Sequence, residues 1–173
     1  MTEQAAARWS TLERETDAGA VESRQWLTLP HELVASDANG ARELGRRYLA
    51  EVGRFSRGLV RPRPRRDGVA LVLLGVVTLL RFGPPEHGDD GGSVACRYPI
   101  RGGLLVARPG GSLLVAQRPG VELELFVSGY FPRLGGTASR HSLRRGLYTA
   151  VQARAHRAVG RRFFEAALRE VSA

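Results

Sequence analysis

The sequence contains no lysine, and all 26 of its basic residues are arginine. That absence, beside so much Ala, Gly and Arg, is the mark of a GC-rich coding bias. A net charge of +9 therefore does not by itself name a nucleic-acid partner. A single cysteine, Cys96, excludes an internal disulfide and any multi-cysteine metal site. The most apolar run, Val69–Phe82, is too short to cross a bilayer as a helix, which needs about 20 residues. No N-terminal stretch joins a basic segment to an apolar one, so the expected setting is cytoplasmic and reduced, with no signal peptide. Familiar reaction signatures are missing as well: there is no GxGxxG after a strand, no P-loop, no HExxH and no GxSxG. His31, His87, His141 and His156 are scattered without metal-ligand spacing. Neither a metal nor a cofactor is implied.

What is present is ordinary for a globular chain. At 173 residues, 43% hydrophobic and 25% charged, it is long enough to bury a core without staples. Residues 1–20 are polar, Ala-rich and poorly patterned, and read as a frayed helix or loosely ordered leader. Residues 21–173 read as a single α+β domain. Charge divides unevenly between the two parts of the chain. Residues 1–53 hold nine acids and six arginines, a net of −3, and residues 54–173 hold eight acids and twenty arginines, a net of +12.

The organising stretch runs from Gly92 to Leu134. Its short apolar runs are separated by Pro-Gly or Gly-Gly pairs, which suit positive-φ turns. Val94–Ile100, Leu104–Ala107, Leu113–Gln117 and Val121–Phe131 thus read as successive antiparallel strands. Alternation puts Val121, Leu123, Leu125 and Val127 on one face and Glu122, Glu124, Phe126 and Ser128 on the other. The two glutamates are either a catalytic carboxylate pair or partners of arginines on neighbouring strands, the second being the commoner arrangement. Cys96, on the apolar face with Val94, Tyr98 and Ile100, reads as a small core residue.

Upstream, Arg24–Leu29 reads as a short strand ended by Pro30. A helix from about Ala38 to Phe55 is capped by Ser36 or Asp37 and buries Ala41, Leu44, Tyr48, Leu49 and Val52. The RPRPRR run that follows reads as a solvated connector or a basic arm. Val69–Phe82 fits a long strand bent at Gly75, and Pro84–Gly92 a solvent loop. Downstream, helical spacing from about Leu143 to Val171 puts Tyr148, Gln152, His156, Val159 and Phe163 on one face and Arg154, Arg157 and Arg161 on another.

Strand, helix, antiparallel meander, long final helix: this order resembles the helix-grip fold of the START/Bet v 1-like (SRPBCC) superfamily. The resemblance lies in element order and covers roughly residues 21–172. It implies a curved antiparallel sheet covered by a long C-terminal helix, with a cavity between them. It also implies membership among lipid carriers, hormone-binding proteins and cyclase-like enzymes, which share no common catalytic residues.

The expected function is accordingly binding of an apolar small molecule or lipid between the sheet and the last helix. Tyr148, Gln152, His156, Val159 and Phe163 are its candidate contacts, since a polar row on an apolar stripe suits a ligand oxygen. Two alternatives stay open. One is a cyclase/dehydratase-like enzyme on the same scaffold, with His156 as acid or base. The other is an arginine-driven binder of nucleic acid or anionic membrane.

Overall fold

The computed structural model describes residues 9–89, 92–132 and 142–173, without the side chains of 89 and 142–152. In chain order the elements are β1 (Ser10–Glu15), β2 (Val21–Thr28), α1 (Ala38–Phe55), β3 (Val60–Arg65), β4 (Gly68–Leu73), β5 (Val77–Phe82) and β6 (Glu86–Asp89). They are followed by β7 (Val94–Gly102), β8 (Ser112–Arg118), β9 (Glu122–Tyr130) and α2 (Ser142–Val171). The strands form one antiparallel sheet in the order β1-β2-β9-β8-β7-β5-β4-β3. β5 pairs with the end of β7 and β6 with its beginning, so together they line one side of that strand. The architecture is α+β, with α2 packed against the sheet through Val159, Phe163, Phe164 and Ala167.

Helix α1 starts where its capping residue predicts. The Asp37 carboxylate accepts from the Gly40 N–H at 2.7 Å, satisfying one of the free donors of the first turn. Ala41, Leu44, Tyr48, Leu49 and Val52 are all buried. Gly45 lowers helix propensity but serves packing. A Cβ there would collide with the Tyr98 hydroxyl and the Cys96 sulfur, so α1 approaches β7 this closely only without a side chain.

The meander sorts its faces as alternation predicts. Val94, Cys96, Tyr98 and Ile100 enter the main core with Leu123 and Leu125. On the opposite face Glu124 is buried between Arg24 of β2 and Arg118 of β8, whose Nε atoms donate to its two oxygens at 2.6 Å each. Arg24 also reaches Glu122 at 3.4 Å. The glutamates are thus cross-strand ion partners and lie away from the core side of the sheet.

Five local readings are corrected. Ser10–Glu15 is a strand paired with β2, where the sequence suggested a frayed or loose leader. RPRPRR is mostly strand β3 rather than a connector. Pro62 and Pro64 are two residues apart, so their missing N–H groups face the same way, and an edge strand has one side that needs no donors. Val69–Phe82 is not one bent strand but the hairpin β4–β5, because Leu74 and Gly75 both hold positive φ and turn the chain back. Within Pro84–Gly92, Glu86–Asp89 forms β6 by pairing with Val94–Arg97 of β7. Leu104–Ala107 is a loop. Gly102 and Gly103, both at positive φ, lead the chain out of β7, and the Leu104 and Leu105 N–H groups bond to the carbonyls of Thr78 and Leu79.

Both helices share the core side of the sheet. The Phe163 ring meets Tyr48 of α1 edge-on, with centroids 5.8 Å apart, and Phe164 lies beside it at 5.7 Å. Arg47 bridges the helices through Glu170. Among the described residues no helix is long and apolar enough to cross a membrane.

Phe163 is 2% exposed, so Phe163→Ala should cost about 3–5 kcal/mol of unfolding free energy. Arg162→Ala, on the exposed side of the same helix, should change it by less than about 0.5 kcal/mol. Urea unfolding of the two variants checks the assignment of the α2 faces, which equal midpoints would contradict.

Candidate ligand site

A cavity of about 290 Å³ lies between the sheet and the two helices. Its wall is built from elements whose inward residues follow from alternation or helical spacing. α1 supplies Tyr48, Val52 and Phe55, and the central strands supply Leu71, Leu80, Phe82, Ile100, Leu113 and Val127. α2 supplies Ala153, Ala155, His156 and Val159. Toward the C-terminal end of α2 the space closes, because Phe163, Phe164 and Ala167 pack with Leu44 and Tyr48 in the solid core.

The polar groups are few and unevenly satisfied. Tyr130 lines the cavity and donates its hydroxyl proton to the Leu105 carbonyl at 2.6 Å. Burial pushes the Tyr48 phenol well above its usual pKa, so it stays protonated. Ser23 and Gln25 point inward from β2, whose alternation buries Ser23, Gln25 and Leu27. The Ser23 hydroxyl, both ends of the Gln25 amide and His156 Nε2 are buried without a hydrogen-bond partner. Leaving such a group unpaired costs about 1–3 kcal/mol, so these four atoms, among the described residues, call for a structural reason.

Local geometry explains how they meet. Gly160 lies one helical turn beyond His156, and a Cβ there would collide with the Gln25 amide. The α2 backbone therefore rests directly on Gln25. Moving back from that contact, two residues along β2 reach Ser23 and four residues along α2 reach His156. Those are comparable steps of about 6.7 Å and 6 Å. Ser23 and His156 accordingly both reach the cavity wall.

Of the side chains picked out in the sequence, His156 and Val159 line this cavity. Phe163 lies farther along α2, in the core against Tyr48 and Phe164. The side chains of Tyr148 and Gln152 lie outside the described residues. Ser23 and Gln25 were not singled out. The signal for them was the same alternation, because β2 reads Val, Ser, Gln, Leu on its inward face and so mixes polar with apolar groups.

Two of the three charged candidates have carboxylate partners. Arg157 faces Glu13 of β1 at 3.4 Å, Arg161 pairs with Glu165 at 2.8 Å, and Arg154 is exposed. Cys96 is fully buried and burial pushes its thiol pKa up, which leaves it unreactive. No cluster of His, Cys, Asp and Glu among the described residues could hold a metal ion.

Burial pushes the His156 pKa from the usual 6.5 down to about 4, so the imidazole is neutral at physiological pH. In the unfolded chain it takes up a proton near 6.5, and in the folded chain only near 4. Between these values the unfolded state binds more protons, and stability falls as pH drops through that window. The loss should reach roughly 3 kcal/mol. Urea midpoints across this range should show the slope in the native chain and a flatter one in His156→Leu. At pH 7 that variant should be as stable as the native chain or more so, since an apolar group replaces an unpaired polar one.

No family model matches the chain, and neither a curated protein nor a solved structure matches it.

Proposed function

We propose that the protein binds an apolar small molecule or lipid-like compound in the cavity between the sheet and α2. A hydroxyl or carbonyl of the ligand would be received by Ser23 and His156. The observation that carries this reading is the pairing of an apolar cavity with buried polar atoms that have no partner inside the chain. Small-molecule sites have this composition, at volumes of roughly 300–1,000 Å³. The cavity stands at the lower end of that range, which favours a compact ligand.

The chemistry of the wall favours a neutral head group. His156 is uncharged at physiological pH, and among the described residues the one carboxylate in the wall, Glu13, is on the exposed strand β1. A buried carboxylate or phosphate on the ligand would find no cation among the described wall residues. Binding is also favoured over acid–base catalysis. With a pKa pushed down to about 4, His156 is a weaker base than an ordinary histidine, and no carboxylate hydrogen-bonds to it. Element order, with a long last helix over a cavity, supports the helix-grip resemblance and the binding roles associated with it.

Native mass spectrometry of the purified full chain should detect a retained apolar compound. Titration with an environment-sensitive apolar dye should report a saturable site. Val127 pairs with Ser23 and lines the cavity, so Val127→Trp should fill the space and abolish dye uptake while the cooperative unfolding transition is kept. Ser23→Ala should weaken uptake of a hydroxylated dye by a factor of roughly 5–10, the scale of one buried hydrogen bond. Undiminished uptake in Val127→Trp would place the ligand elsewhere.

A further inference from the structure

Eight large apolar side chains are exposed among the described residues. Six of them, Phe55, Leu59, Leu74, Val76, Val77 and Leu104, gather at one end of the sheet. Backbone hydrogen bonds hold them together: the Leu74 N–H donates to the Leu59 carbonyl at 2.8 Å, and the Leu104 N–H to the Thr78 carbonyl at 2.9 Å. Phe55 also belongs to the cavity wall, as do nearby Leu79 and Leu105, so this apolar end borders the cavity.

Folding alone does not account for it. Leu74 and Gly75 both hold positive φ, and the Val76 N–H closes on the Leu73 carbonyl at 3.1 Å, as in a type I′ turn. The first central position of such a turn favours Asn or Asp, which tolerate positive φ far better than Leu. Leu74 is 68% exposed and Val76 80%, so neither gains packing in return. An apolar residue that is both strained and solvated points to a contact outside the chain.

The surrounding charge gives that contact its sign. Arg54, Arg57 and Arg61 are exposed beside Phe55 and Leu59, and the Arg108 guanidinium stacks on Phe131, 3.7 Å from its centroid, in the loop that carries Leu104. The three segments that build this end lack carboxylates. No Asp or Glu occurs between Glu51 and Asp67, between Asp67 and Glu86, or between Asp90 and Glu122. Glu51 holds Arg54, and Asp67 lies in the β3–β4 turn, at the other end of those strands. The acids of the β1–β2 hairpin, Glu13, Glu15, Asp17 and Glu22, belong to the opposite edge of the sheet, and Glu13, which reaches the cavity wall, is paired with Arg157.

We propose that this end docks on a bilayer bearing anionic lipid, with Leu74, Val76 and Leu104 entering the interface and Arg57 and Arg61 meeting the headgroups. Stable attachment of a soluble domain needs two signals, an apolar insertion and a basic patch, and both are present here. The docking deepens the function proposed above and rests on it for its purpose: an apolar ligand would pass between bilayer and cavity without crossing water.

The experiment is co-sedimentation of the full chain with vesicles of phosphatidylcholine alone or mixed with phosphatidylserine. The native chain should bind the mixed vesicles and release as salt rises, and should leave plain phosphatidylcholine largely unbound. Leu74→Asp with Val76→Asp should lower vesicle affinity by about tenfold or more while the melting temperature is unchanged or raised, since Asp suits the turn. This variant should still take up the soluble apolar dye, and Val127→Trp should still bind vesicles. Failure of the ligand reading and failure of the docking reading therefore give different results. Equal vesicle binding by native and double-Asp chains would overturn the proposal. So would a native dimer in sedimentation velocity that the double-Asp change dissociates, which would make the patch an interface between copies.

Discussion

Helix α2 packs tightly on the sheet where Gly160 lies on the buried amide of Gln25. An added Cβ would collide with that amide, so the spacing between helix and strand β2 is set there. Toward the helix C-terminus, Phe163, Phe164 and Ala167 fill the gap against Tyr48, Leu44 and their neighbours. Toward its N-terminus, Ala153, Ala155, His156 and Val159 leave the cavity unfilled. Gly45 plays the matching part in α1, seating that helix on Tyr98 and Cys96 of β7. Two helices held by glycine contacts and closed at one end by aromatic rings thus enclose a space at the other.

Unpaired polar atoms lie at the cavity wall, on Ser23 and His156, and under the helix contact, on Gln25. These are the buried side-chain atoms without a partner among the described residues. Gln117, by contrast, accepts from the Leu33 and Val34 N–H groups and donates to the Val34 carbonyl, and Glu124 sits between two arginines. A chain that satisfies a buried amide and a buried carboxylate so completely has the means to satisfy a serine and a histidine. Ser23 and His156 instead face the cavity.

The positive charge falls into two different physical situations. On the sheet, Arg24 and Arg118 neutralise Glu124, and on the helices Arg47, Arg157 and Arg161 each have a carboxylate partner. Those arginines contribute to the net charge without offering a free basic face. Around the hairpin tip the same residue type stands beside exposed leucine and valine, in segments without acids. Net charge alone could not separate the two groups, because pairing depends on which strands become neighbours.

Much of the architecture was legible in the sequence because it rests on local periodicity. The Asp37 cap and the i, i+3, i+4 spacing define α1, the two-residue alternation of β7 and β9 sorts core from surface, and a long helical stripe follows. Pairing partners were not legible. RPRPRR becomes a strand only because β4 lies beside it, and Glu86–Asp89 only because β7 does. The Leu74-Gly75 turn escaped notice because its first central residue is one that such turns disfavour. The site was legible in part for the same reason. Helical spacing put His156 and Val159 on an inward stripe, but Ser23 is separated from His156 by most of the chain and shares the cavity wall with it through the seat of α2 on β2 at Gly160. Periodicity decides which way a side chain points within its own element. What it faces is decided by long-range packing, which no local pattern encodes.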